Sequence, residues 1–108
     1  MCEFESLYFS DDGYVVRCKE TGHYQVAFMS TILTLTEVDF QQFCKLIRTR
    51  SGDWEGYVGA DTRCVVIPTP AQGINLLFTK KEALQFNNIL EEADTENRAL
   101  SLMRLFKM

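Results

Sequence analysis

The chain holds a single histidine, His23, and only two prolines in 108 residues. One histidine leaves no room for a three-imidazole metal site of the catalytic zinc kind, and it allows one imidazole base at most. Low proline and six glycines exclude collagen-like and low-complexity classes. No run of about 18 apolar residues occurs, so no segment reads as a membrane-spanning helix. Positive charge is also scarce: the formal net charge is −4, and neither half of the chain is basic. Nucleic-acid binding is driven by phosphate neutralisation, which makes that class a poor fit. The start, MCEFESLYFSDDG, has no basic n-region and no long apolar stretch. It does not read as a signal peptide, and the expected compartment is the cytoplasm.

What is present is a globular composition. Hydrophobic residues make up 46%, with eight Phe, four Tyr and one Trp, enough for one core in a chain of this size. A single domain over residues 1–108 is expected. The four cysteines (Cys2, Cys18, Cys44, Cys64) are scattered, and in a reducing compartment they read as thiols.

The first half reads as a strand meander. Phe4 to Phe9 is apolar-rich, Asp12-Gly13 is a hairpin signal, and Tyr14 to Cys18 is β-branched and aromatic. A turn at Lys19 to Gly22 leads into His23 to Phe28, and Ile32 to Leu35 continues the sheet. The period then changes. Thr36 is a good N-cap with Asp39 three residues later, and Phe40, Phe43, Cys44 and Ile47 recur at helical spacing. Gly52 ends this helix, and Lys45, Arg48 and Arg50 suit its C-terminal end. After a glycine-containing loop (51–62), strands are expected at 63–67 and 74–78. Thr79 with Glu82 then caps a second helix whose apolar face is Phe86, Ile89, Leu90 and Ala93.

LTLTEVDFQQFCKLI (33–47) aligns without gaps on LLFTKKEALQFNNIL (76–90). Either the chain contains two ββα-like halves, or two unrelated strand-to-helix junctions share one capping solution. The segment ENRALSLMRLFKM is helical by pattern. Ala99, Leu102, Met103 and Phe106 form one stripe, with Leu100 and Leu105 off it. Such an apolar terminal helix either covers the sheet or docks on a partner. The expected fold is α+β: one antiparallel sheet of about five to six strands packed on one face by two to three helices, at 37–50, 80–94 and 97–106, the last two either continuous or broken near Asp94-Thr95. Residues 14–16, 65–66 and 76–77 form the sheet side of the core in this reading, facing Phe40, Phe43, Ile47, Phe86 and Leu90.

Four sets of residues carry candidate chemistry. Cys18 and His23 flank a predicted turn, and with Cys2 they are the available zinc ligands, but a structural site wants four. The bland reading is a buried cysteine and a solvated histidine. A nucleophilic cysteine would have to use His23 as base, and Cys44 and Cys64 both sit in core-like positions. The acidic cluster Glu91, Glu92, Asp94 and Glu96 reads as a solvated helix surface. Finally, Lys45, Arg48, Arg50, Trp54, Tyr57 and Arg63 make a basic-aromatic set of the kind found at protein interfaces. Its bland reading is a cationic helix end followed by a loop pinned by Trp54. No glycine loop with phosphate-cradling spacing is present.

The stretches QVAF (25–28), LTLTEVDF (33–40) and VVIPTPAQGINLLF (65–78), with Cys2 and Cys18, resemble a family of small uncharacterised bacterial proteins with no assigned function. The resemblance implies a second cysteine three residues after Cys18, giving C-x-x-C. Thr21 stands there instead, which leaves His23 as the nearest substitute ligand. The functional expectation is a non-enzymatic interaction or regulatory module, a homodimer, with Arg48, Arg50, Trp54, Tyr57, Leu100 and Leu105 as partner-binding candidates. The alternatives are a zinc-supported domain using Cys2, Cys18 and His23, and a small enzyme or ligand binder with an unrecognised pocket.

Overall fold

The computed structural model describes residues 3–56 and 62–106, with the backbone alone at 55 and 56. The order is β1 (Phe4–Ser10), β2 (Gly13–Cys18), β3 (Tyr24–Phe28), β4 (Thr31–Leu35), α1 (Glu37–Arg50), a 3-10 turn (Ser51–Gly56), β5 (Arg63–Pro68), β6 (Asn75–Thr79) and α2 (Lys80–Phe106). The class is α+β, as the pattern implies, but the strands form two antiparallel sheets rather than one. β1-β2-β3-β4 is a four-stranded meander, and β5-β6 is a separate hairpin.

The meander obeys strand alternation. Val15, Val26 and Leu33 lie opposite one another on the inward face, and Phe9, Tyr14, Ala27 and Ile32 form a row on the outward face. A bulge in β1 between Ser6 and Tyr8 interrupts this alternation. Leu7 is buried and the neighbouring Tyr8 also packs against the core. Gly13 is needed for a different reason from the turn chemistry its Asp-Gly context suggests. It opens β2, and a Cβ there would lie 2.2 Å from the Ala27 carbonyl oxygen on β3. In the small hairpin, Val65 and Leu76 point inward while Val66 and Leu77 are exposed. Only half of each expected apolar pair therefore enters the core.

Both helices start from a strand through a threonine cap. Thr36 Oγ1 accepts from the Asp39 N–H at 3.1 Å. At α2 the exchange is reciprocal: Thr79 Oγ1 accepts from the Glu82 N–H at 3.1 Å, and Glu82 Oε1 accepts from the Thr79 N–H at 2.9 Å. A glutamate reaches back to the cap residue, which makes this the complete capping box; at Thr36 only the forward bond forms. Arg63 then grips the same Glu82 through both its carboxylate oxygens, at 2.8 and 3.1 Å. That ties the first strand of the hairpin to the start of the helix that follows it.

The third expected helix does not exist as a separate element. α2 runs unbroken for 27 residues, a rod of about 40 Å in a molecule 51 Å long. Nothing between 91 and 98 is a glycine or proline. Thr95, a candidate cap for a new helix, instead donates its hydroxyl to the Glu91 carbonyl at 2.9 Å.

The core lies where α1 and α2 meet both sheets. Phe86 is its hub, with ring centroids 5.2, 5.8 and 5.4 Å from Phe28, Phe43 and Phe78. Phe28 meets Phe78 edge-on at 5.4 Å, so aromatic packing links two sheets that share no ladder. Tyr24 stacks flat on Phe40 at 4.3 Å. Phe40, Phe43, Ile47, Phe86 and Leu90 are all buried, as their spacing predicts. Phe86→Ala is expected to cost about 3–5 kcal/mol, read as a lower denaturation midpoint in urea at unchanged slope. A much smaller loss would show that the two sheets do not depend on this ring.

Candidate functional site: the groove between the helices and the outward face of the long helix

Seven residues along α2 set its polarity. Ala83, Phe86, Ile89, Leu90 and Ala93 hold the core, and the same face continues through Asp94 and Asn97. Those two are the only buried polar residues among the described ones, 7% and 4% exposed. Asp94 sits between two guanidinium groups. Arg48 Nη2 of α1 donates to its Oδ2 at 3.1 Å, and Arg98 Nη2, one turn further along α2, lies 3.0 Å from the same oxygen. Arg48 also lies 3.6 Å from Glu91. Burying a carboxylate is costly unless it is paired and hydrogen-bonded, and these guanidinium groups supply the pairing. Asn97 Oδ1 accepts from the Tyr24 hydroxyl at 3.1 Å, joining the helix to β3.

Above this polar floor lies a groove of about 770 Å³ between the two helices. α1 contributes Glu37, Gln41, Lys45 and Arg48, one face at helical spacing. α2 contributes Asp94, Asn97, Arg98 and Ser101, with Leu102 and Leu105 toward its C-terminal end. Beneath it, Cys44 is packed in the core. Burial, reinforced by the Asp94 charge, pushes its thiol up to about 12. That thiol is neutral and inert near neutral pH, which removes it as a nucleophile.

Beyond Asn97 the pattern of α2 inverts. Its apolar residues stop following the core: Leu102, Met103 and Phe106 are 57%, 56% and 86% exposed, and Ala99 is exposed beside them. Nine residues separate Leu90 from Ala99, two and a half turns, so the stripe is centred on the side away from the buried seam, with Leu102 at the border of the groove and Ala99 beside Leu7 and Tyr8 of β1. On the inward side, Leu100 is half-buried against the core. Arg104 donates to the Leu100 carbonyl at 3.2 Å and pairs with Glu5 of β1 at 3.5 Å. The last turns are thus held by polar contacts, with their apolar side turned outward.

The basic-aromatic set is not assembled as a surface. Trp54 is 2% exposed and belongs to the core. Arg63 is committed to Glu82, Arg48 lines the groove, and Arg50 is exposed at the end of α1. Tyr57 lies outside the described residues. Of the zinc candidates, Cys2 also lies outside them. Cys18 is buried and disulfide-bonded, which corrects its reading as a thiol, whereas Cys44 and Cys64 are free. His23 is exposed; its carbonyl accepts from the Cys18 N–H at 2.8 Å, so backbone rather than ligand chemistry joins the two positions. No group of three or more metal-ligating side chains occurs among the described residues. Leu105 is exposed at the groove mouth and Leu100 is not. Asp94 and Asn97 are the residues that sequence reasoning missed. Their one signal was continuation of the 86-90-93 face to 94 and 97, which marks Asp94 as buried rather than as part of a solvated acidic cluster.

These features define a small α+β domain with a polar interhelical groove, an outward apolar helix face, and no helix among the described residues long and apolar enough to cross a membrane. The chain belongs to a family of unknown function, DUF6686, whose model matches residues 1–106. No curated protein and no solved structure matches it.

The Cys44 environment gives a pH signature. An acid whose pKa is raised by folding stays protonated while the unfolded chain already ionises. Stability is therefore whole below about 9 and falls as pH rises from there toward about 12. Cys44→Ala should flatten that part of the stability–pH curve relative to the parent protein, measured by urea denaturation in alkaline buffers. Curves of equal slope would show that the thiol ionises as freely in the folded state as in the unfolded one.

Proposed function

We propose that this protein is a non-enzymatic interaction module that works as a homodimer, with the outward stripe of α2 as its contact surface. The observation that supports this reading is the inversion of α2. A helix end whose apolar side faces away from its own core, while its polar side is fastened inward, gains stability only when something covers it.

A second copy is the occupant that fits the spacing. Ala99, Leu102, Met103 and Phe106 stand at i, i+3, i+4 and i+7, a pattern that reads the same in both directions. Two such helices packed antiparallel about a twofold axis between Leu102 and Met103 place Ala99 opposite Phe106 and Leu102 opposite Met103, the self-complementarity an isologous contact requires. Glu91, Glu92 and Glu96 lie before the overlap, so no carboxylates are stacked against each other. Eight residues per copy supply less than the roughly 800 Å² per partner of a standard interface. The expected dimer is therefore weak, with a dissociation constant on the order of micromolar.

Sedimentation velocity across a concentration series tests this. The parent protein should move from monomer to dimer, and Leu102→Asp and Phe106→Asp should each remain monomeric with an unchanged melting temperature. Leu100→Asp should instead lower the melting temperature, because Leu100 packs on the core. A parent protein that stays monomeric throughout the series overturns the reading.

A further inference from the structure

We infer that the groove between α1 and α2 is a binding site for a small organic monoanion, a carboxylate carrying an apolar chain. This goes beyond the proposed dimer and does not depend on it.

The groove is about 770 Å³, within the range of small-molecule sites. Its floor holds an unused donor. Asn97 is 4% exposed, and its Oδ1 is taken by Tyr24, while among the described residues nothing accepts from its Nδ2. That Nδ2 is not fully enclosed, and Asn97 lines the groove, so the amide donor is open to a ligand oxygen entering there.

The charges select the ligand. Lys45, Arg48 and Arg98 line the groove together with Glu37 and Asp94, three cations to two carboxylates, a net of one positive. Asp94 occupies Nη2 of each guanidinium, and Arg48 Nε also meets Glu91 at 3.6 Å, which leaves Lys45 as the lining cation with no carboxylate partner among the described residues. A single carboxylate balances this lining and can bond Lys45 Nζ and Asn97 Nδ2. A phosphate dianion would add repulsion from Asp94 and Glu37, and an ammonium ligand would face the excess cation. Leu102 and Leu105 line the end of the groove toward the C-terminus of α2, where they offer apolar cover to a hydrocarbon chain. The polar floor fixes the head group and the leucines fix the direction of the tail.

The test is a titration of the full chain with octanoate, followed by amide nitrogen–proton NMR, with octylammonium and inorganic phosphate as controls. Octanoate should give saturable shifts confined to residues 41–48 and 94–105, and neither control should reproduce them. Lys45→Glu and Asn97→Asp, the latter keeping an acceptor for Tyr24, should each weaken binding about tenfold or more. Lys45 is an exposed surface residue, so Lys45→Glu decides the matter if Asn97→Asp proves unfolded. The titration is repeated in the Phe106→Asp background, where binding should persist because Phe106 does not line the groove. Loss of binding there, equal binding of octylammonium, shifts centred on the outward stripe, or a folded Lys45→Glu protein that binds as the parent does would overturn the assignment.

Discussion

A straight helix keeps one stripe against a core only as long as its apolar residues stay in phase with its pitch, and the whole architecture hangs on how α2 meets that limit. Over its first four turns, to Ala93, the phase is kept, and one helix face closes the core against α1 and both sheets. From Asp94 onward the same face carries Asp94, Asn97, Ser101 and Arg104, while the hydrocarbon moves to the opposite side. The helix does not end there, because nothing in 91–98 breaks it and polar contacts take over the role of packing. Arg48 reaches across from α1 to Asp94, Tyr24 reaches up from β3 to Asn97, and Glu5 of β1 meets Arg104. Each of those contacts comes from a different element, so the second half of α2 is positioned by side-chain geometry, with Leu100 as its apolar contact to the core.

This division explains why the groove and the outward stripe occur together. If the apolar phase had continued past Ala93, hydrophobic side chains would have drawn α1 and α2 together along their whole length and filled the groove. A polar floor cannot be closed by dispersion alone, since a buried carboxylate and amide demand partners at defined angles. The helices therefore stay apart at that end. The same phase change that opens the space between them also places Leu102, Met103 and Phe106 in solvent. Leu102 borders both features, so a ligand lying along the groove and a helix lying on the stripe would touch the same side chain.

Local pattern carried much of the fold. The hairpin meander, both threonine-capped junctions and the buried faces Phe40-Phe43-Ile47 and Phe86-Leu90 follow from periodicity and capping chemistry within a few residues. What was not legible was non-local. Whether β5-β6 joins the meander depends on how Phe28, Phe78 and Phe86 pack, and no short-range signal encodes that the sheets meet through aromatic rings instead of a ladder. Trp54 reads either as an interface aromatic beside arginines or as the pin of its loop, and only the tertiary packing decides for the pin. The stripe 99-102-103-106 was visible, but its direction depends on the phase of a helix that starts twenty residues earlier, and a break near Thr95 would have changed it.

The polar floor was the hardest part to read because each member looks ordinary alone. Asp94 sits in an acidic stretch, Arg48 suits a helix C-terminus, and Asn97 follows a run of helix formers; their partners are 46 and 73 residues away in sequence. Energetically the clamp is not a simple stabiliser. A buried ion pair recovers its desolvation cost only with good geometry, and well-packed hydrophobic residues of similar volume often do as well or better. The clamp's distinguishing consequence is specificity: an aspartate that must meet Arg48 fixes the rotation of α2 about its axis. That rotation turns Asn97 to the groove and Phe106 away from it. Replacing the clamp with leucine-like packing would preserve a core and lose the constraint that sets both surfaces.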